Sequence, residues 1–151
     1  MILRKMTGAE FTKYSAFSFE QFIHDMAKSS GRSADEIRQE AGGPPREPGP
    51  RDLWYVSEHE GNVIGYFWIQ IRKDRRAFGY DIHIDEAFRG KGHGRMMMME
   101  GRKLLKTLDV EALDVCVFDS NEIARALYFS LGFAETRHDP LRRLSHLSVS
   151  V

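Results

Sequence analysis

Two rhythms of apolar and polar positions run along this chain and predict its elements. Near the start, Phe19, Phe22, Ile23 and Met26 stand at i, i+3, i+4 and i+7, one face of a helix. Thr7 and Glu10 are three apart, the spacing of a capping box. That helix is therefore expected to begin near Gly8 and to end at Ser29-Ser30-Gly31. Ser33 and Glu36 repeat the spacing and predict a second, short helix to about Glu40. Ala41 to Pro50 holds four of the five prolines and predicts a loop, because proline removes donors and glycine favours bends. Beyond it the period shortens. Leu53 to Val56 and Val63 to Ile71 read as strands joined by a tight turn at Glu60-Gly61-Asn62, and Ala77 to Asp85 completes an antiparallel meander. A helix-like run follows, Arg95 to Leu108. Its four consecutive methionines, Met96 to Met99, cannot share one face, so some must pack on the sheet and others elsewhere. Leu113 to Phe118 is a strand, and Asn121 to Leu131 a helix stopped by Gly132. Phe133 to Arg137 and Leu144 to Val149 are closing strands with Pro140 between them. With Ile2 to Lys5 as a short first strand, the order βαα-βββ-α-β-α-ββ predicts an α/β fold with helices covering a central sheet.

Between the last meander strand and its helix lies Phe88-Arg89-Gly90-Lys91-Gly92-His93-Gly94-Arg95. Glycines at every second position let the backbone take φ > 0 and let a ligand touch it. The first N–H groups of the following helix have no intrahelical partner, and with the positive dipole end they attract phosphate. Arg89, Lys91 and Arg95 add cationic charge at the same turn. The segment lacks the Gly-Lys-Ser/Thr ending of a Walker A loop and the G-x-G-x-x-G spacing of the dinucleotide fingerprint.

Length and charge narrow the classes. At 151 residues, the span 1–151 is expected to be a single domain. The chain has 22 basic and 22 acidic residues, so no overall field favours nucleic acid or a membrane surface. One cysteine, Cys116, excludes an internal disulfide and suits a reducing compartment. The start lacks the apolar stretch of a signal peptide, and no run approaches the ~20 apolar residues that span a bilayer. A cytoplasmic protein is expected. The six histidines show no metal-ligand spacing, and no metal site is expected.

The Gly-rich segment resembles the acyl-CoA loop of the GNAT N-acetyltransferases, Q/R-x-x-G-x-G/A, at Arg89, Gly92 and Gly94. A second stretch, Asn121 to Phe133, is similar to the distal helix of the same superfamily, N-x-x-A-x-x-x-Y-x-x-x-G-F, with Asn121, Ala124, Tyr128, Gly132 and Phe133 at its places. Asn121 and Tyr128 stand two helical turns apart and can face one ligand. The two motifs occur in the family's order, and the resemblance covers about Trp54 to Phe133 well and residues 1–52 in outline. It implies a GNAT-like mixed, mostly antiparallel sheet of six to seven strands flanked by about four helices. It also implies acetyl-CoA as the acyl donor.

The resemblance further implies that Ile82, His83 and Ile84 offer backbone groups to the pantetheine arm, and that the amides of Gly90, Lys91, Gly92, His93, Gly94 and Arg95, with Arg89, cradle the pyrophosphate. Asn121 would touch the cofactor arm, and Tyr128 would protonate the departing thiolate, as a phenol protonated at neutral pH can. Many members carry a glutamate base on the fourth or fifth strand. Here the inner fifth-strand position is Cys116, so Asp81 is the expected base, with His83, Glu20 and Glu58 as other groups within conceivable reach. The expected reaction is acetyl transfer by direct attack to a primary amine, carried by a small molecule or a peptide. The alternative is a non-catalytic module that binds acyl-CoA as a regulator. Acetyl-cysteine chemistry at Cys116 finds no sequence-adjacent histidine to support it. The first helices and the 41–51 loop are expected to roof an acceptor cleft, with Phe19, Phe22, Trp54, Tyr66 and Trp68 supplying aromatic surface. The apolar C-terminal strand is a candidate edge for a homodimer.

Overall fold

Helix α1 (Gly8–Ser30) begins on the capping box its sequence spells: Thr7 Oγ1 accepts the Glu10 N–H at 3.2 Å, and Glu10 Oε1 accepts the Thr7 N–H at 2.9 Å. Gly31, in the left-handed region at φ 71°, ends it. The second box does not form. Ser33 has N-cap geometry before α2 (Ala34–Ala41), but its hydroxyl makes no capping bond. That helix is held instead by buried Ile37 and by Arg38, which pairs with Glu20 of α1 at 2.9 Å.

The computed structural model describes all 151 residues. Strand β1 (Ile2–Lys5) precedes α1; β2 (Asp52–His59), β3 (Asn62–Ile71) and β4 (Arg76–Ile84) follow α2. Then come α3 (His93–Thr107), β5 (Ala112–Phe118), α4 (Glu122–Ser130), β6 (Ala134–Asp139) and β7 (Leu144–Ser150). The strands form one seven-stranded sheet in the order β1-β2-β3-β4-β5-β7-β6, antiparallel throughout except for the β4–β5 pair. The β2–β3 turn uses Glu60 (φ 52°) and Gly61 (φ 81°), the two positive φ values that a two-residue hairpin requires.

Helices cover both faces. Phe11 and Tyr14 of α1 pack on Trp54, Val56 and Tyr66, while α3 sets Met97, Met98 and Leu105 on Phe67, Ile69, Leu113 and Val115. Of the four methionines, Met97 and Met98 are buried and Met96 and Met99 exposed, so the run splits between core and solvent. Burying each inner one is worth about 2–3 kcal/mol. The apolar face expected on α1 is only partly the buried one. Ile23 is fully buried, Phe22 is exposed, and Ser15 and Ser18 are buried instead. The reason is what α1 faces there: a cavity in the sheet and the carboxylate of Asp81.

The C-terminal strand is not an edge. β7 lies between β5 and β6, and the outer strand on that side is β6, whose Glu135, Arg137, His138 and Asp139 make a charged border unsuited to further pairing. The expectation of dimer pairing through Leu144–Val151 is corrected accordingly.

Candidate active site

Two irregularities in β4 make the site. Trp68 of β3 is opposite Asp81 and Ile69 is opposite Gly79, so Tyr80 is an extra residue, a β-bulge. The bulge reverses the alternation of faces. Ala77 and Gly79 face the α3 side, where a Cβ on Gly79 would stand 3.1 Å from Val115 Cγ1. Without the bulge Asp81 would point there too. With it, Tyr80 stacks on Trp68 (ring centroids 4.4 Å apart) and Asp81 reaches α1. The second irregularity is a parting of strands. β4 pairs with β5 only from Arg76–Ala112 to Gly79–Val115, after which Tyr80–Ile84 and Cys116–Phe118 diverge.

A cavity of about 440 Å³ fills the opening. Its walls come from Tyr80 to Ile82, from Cys116 to Phe118, from α4 through Asn121 and Tyr128, and from α1. The expected roof is present: Ala41, Gly43 and Pro45 line it, as do Phe19, Phe22 and Trp68. Trp54 and Tyr66 do not line it. They are core residues under α1.

Asp81 is one of the carboxylates that line the cavity. One oxygen, Oδ2, accepts hydrogen bonds from Tyr66 Oη at 2.6 Å and Ser18 Oγ at 2.7 Å; Oδ1 accepts none from the protein. Burial pushes the Tyr66 phenol well above its ordinary range, with the Asp81 charge adding to it, so Tyr66 remains a donor. Tyr128 shares the cavity, half-buried, its ring 5.1 Å from Phe133. Burial first and the Asp81 charge second push its phenol above the ordinary tyrosine value. Asn121, which lines the cavity, is the α4 N-cap, its Oδ1 accepting the Ala124 N–H at 3.2 Å while its amide nitrogen has no protein partner.

Other base candidates lie elsewhere. Glu20 pairs with Arg38 and Glu58 with Arg4, and neither lines the cavity. His83 projects beside Phe17 and Tyr66, with Nε2 3.2 Å from Asp85, and burial lowers its affinity for a proton. The main chain of β4 divides likewise. The Asp85 N–H donates to the Ile64 carbonyl, which by antiparallel alternation turns the main-chain groups of His83 toward β3 and those of Ile82 and Ile84 toward the opening. The Ile84 carbonyl is taken by Arg89 Nε at 2.8 Å, leaving its N–H.

The Gly-rich loop stands at the end of β4 beside α4. Gly90 (φ 75°) and Gly92 (φ 82°) have room for a Cβ but adopt left-handed backbone that side chains resist. Gly94 is different: a Cβ there would stand 3.4 Å from Leu127 Cδ2. The N–H groups of Gly90, Lys91, Gly92, His93, Gly94 and Arg95 meet no protein acceptor. Lys91 is exposed, and Arg95 donates to Ser130 Oγ at 2.6 Å. The His93 ring is buried against His59, so only its amide faces outward with the rest. This row of free donors at a helix N-terminus suits a pyrophosphate, and the adjoining strand opening suits an extended arm with amide groups. No three His, Cys, Asp or Glu side chains gather in a metal-holding cluster.

The sequence model of the acetyltransferase (GNAT) family matches residues 19–133, most of the chain and both motifs. The chain belongs to that family. What it carries is an acetyl-CoA-dependent N-acetyltransferase domain of the GNAT type. Among relatives in Bacillus subtilis, the uncharacterized N-acetyltransferase YdgE is 28% identical over 144 residues, covering 89% of this chain and 92% of YdgE. The uncharacterized N-acetyltransferase YycN is 31% identical over 87 residues, and the chain spans only 56% of YycN's length in that match. The solved YycN structure superposes with a TM-score of 0.82 at 23% identity, over 91% of this chain and 94% of that one. The PaiA N-acetyltransferase of Thermoplasma acidophilum, solved with coenzyme A, shares the fold at a TM-score of 0.69 and 13% identity, over 99% and 98% of the two chains.

One pairing had no sequence signal. The β5–β7 register sets Cys116 opposite His146, with Sγ 3.1 Å from Nδ1. Arg137 Nη2 lies 2.8 Å from His146 Nε2. A guanidinium only donates, so Nε2 accepts and the imidazole proton sits on Nδ1, directed at the sulfur. Burial pushes the Cys116 thiol up.

Proposed function

We propose that this GNAT domain acetylates a primary amine by direct attack within a complex holding both substrates. The observation that carries the reading is that Asp81 of β4 and Tyr128 of α4 line one cavity, where β4 and β5 part. Acetyl-CoA, when bound, supplies a thioester carbonyl open to a nucleophile. The free amides of Gly90 to Arg95, with Arg89, would hold its pyrophosphate, and Ile82, Ile84 and Asn121 would hold its arm. An aliphatic ammonium must first lose a proton, which at pH 7 costs about 4.6 kcal/mol, from 3.4 pK units at 1.36 each. Asp81 Oδ1, without a protein partner while Oδ2 is anchored twice, would orient the ammonium and receive that proton, directly or through water. The Ile82 N–H, turned away from β3 into the opening, would donate to the oxyanion that forms on the thioester carbonyl. Tyr128, kept protonated by burial, would give its proton to the departing sulfur.

A covalent route through Cys116 has the His146 contact in its favour. The tautomer set by Arg137 weighs against it, because His146 already donates toward sulfur and has no lone pair there to take the thiol proton. No helix is long and apolar enough to cross a membrane, and a reducing, cytoplasmic setting is proposed from the single free thiol. Thiol release from acetyl-CoA with alkylamines tests the activity. Tyr128→Phe should lower kcat about 100-fold and leave KM for acetyl-CoA within a few-fold; an unchanged kcat would remove Tyr128 from the chemistry.

A further inference from the structure

The charges lining the cavity are one-sided. Asp25 and Asp81 line it, and no lysine, arginine or histidine does. The cations behind its walls are engaged elsewhere: Arg72 donates to Tyr80 Oη at 2.6 Å and lies over the Phe78 ring, and Arg137, beyond Cys116, donates to His146 Nε2 at 2.8 Å. The basic residues of the site are all at the loop of Arg89 to Arg95, outside the cavity. The two ends of the site therefore select opposite charges.

The carboxylates are also spaced. Ser18 donates to Asp81 at 2.7 Å and so marks its level on α1. Asp25 lies seven residues further along the same helix, about 10 Å at 1.5 Å per residue. Phe22 lines the cavity between them, on the same helix face, and half its surface is exposed. One Asp25 oxygen accepts from Gln21 Nε2 at 3.2 Å, and the other has no protein partner.

Resting on the acetyltransferase reading above, we infer that the acceptor is a dication: an alkyl diamine, or a longer chain with a second ammonium. Its reacting nitrogen lies at Asp81 and its second at Asp25, with the alkyl chain along Phe22. Carboxylates about 10 Å apart accept nitrogens separated by roughly four to seven methylenes, from the ~1.5 Å C–C bond. An acceptor bearing a carboxylate at the far end, such as an amino acid, meets Asp25 and is rejected.

The test compares 1,5-diaminopentane, pentylamine and 6-aminohexanoate, by thiol release and by calorimetric binding to the enzyme saturated with CoA. The diamine should exceed pentylamine about fivefold in kcat/KM and in affinity, the yield of one partly exposed ion pair, and the amino acid should be poorest. Asp25→Asn should collapse the diamine-to-monoamine ratio to about one, while Glu20→Gln, outside the cavity, should keep it. Equal use of diamine and monoamine by the intact protein overturns this inference and leaves the acetyltransferase reading standing. So does a ratio that survives Asp25→Asn. Preferential diamine binding without acetylation of any amine would support the inference and overturn the proposed activity.

Discussion

Tyr66→Phe isolates the arrangement of Asp81 from the packing around it. The Tyr66 ring is fully buried against Tyr14 (centroids 4.8 Å apart) and beside Trp54, contacts that phenylalanine keeps. What is lost is the 2.6 Å hydrogen bond to Asp81 Oδ2, leaving Ser18 as the sole anchor. A hydrogen bond to a charged acceptor contributes about 1.5–3 kcal/mol. If that energy holds the carboxylate against the acceptor nitrogen, kcat/KM for the amine should fall roughly 10- to 100-fold, at 1.36 kcal/mol per tenfold. KM for acetyl-CoA should not move, because its loop lies beyond the far end of β4. Thermal stability should fall by a few degrees, as about 1–2 kcal/mol does for a chain of this size. Ser18→Ala should act through the same oxygen, so the double variant should lose less than the summed effects. The assay is steady-state thiol release with each substrate varied, beside a melting curve. A variant that melts earlier but acetylates at the original kcat/KM would refute the role given to Asp81.

Cys116→Ala should retain turnover within a few-fold and keep intersecting initial-rate lines for the two substrates. Parallel lines in the intact protein, with activity lost in the variant, would establish the covalent route. Glu10→Gln probes the start of α1. Hydrogen bonds from Arg4 and the Thr7 N–H hold the Glu10 carboxyl down at about 2, below its ordinary 4.5. Its contribution is therefore present above pH 4.5 and fades as pH falls toward 2. Because Arg4 is about a third exposed, the variant should cost only about 1 kcal/mol at neutral pH, and denaturant midpoints of the two proteins should converge near pH 2. Because burial, with the Asp81 charge adding to it, raises the Tyr128 phenol above its ordinary value, the rate should show no alkaline decline below about pH 10, and a decline there would contradict its assignment as proton donor.

The order of elements was legible because local signals carry it: Thr7 with Glu10, the shift from helical to strand period at Leu53, Glu60-Gly61, and the glycines at 90, 92 and 94. The cofactor loop was legible for the same reason, as strand, turn and helix lie consecutively in the chain. The acceptor half was less so. Gly79 inside a strand is the one local hint of the bulge that turns Asp81 toward α1. The partners of Asp81 lie 15 and 63 residues away, at Tyr66 and Ser18, and no local pattern joins them. Ser18 reads as a polar interruption of an apolar helix face until that face is seen to border a cavity. Cys116 and His146 are 30 residues apart and meet only through strand register. The C-terminal strand looked like an edge because β6, which precedes it in the chain, lies outside it in the sheet.

Calorimetric titration of the intact protein with acetyl-CoA tests the central claim most directly, since every step above needs that ligand in the β4–β5 opening with its phosphates on residues 90–95. The account predicts micromolar binding, weakened about tenfold by Lys91→Glu, a charge reversal at an exposed side chain with no protein partner. No heat of binding at millimolar acetyl-CoA, or binding indifferent to Lys91→Glu, would contradict it.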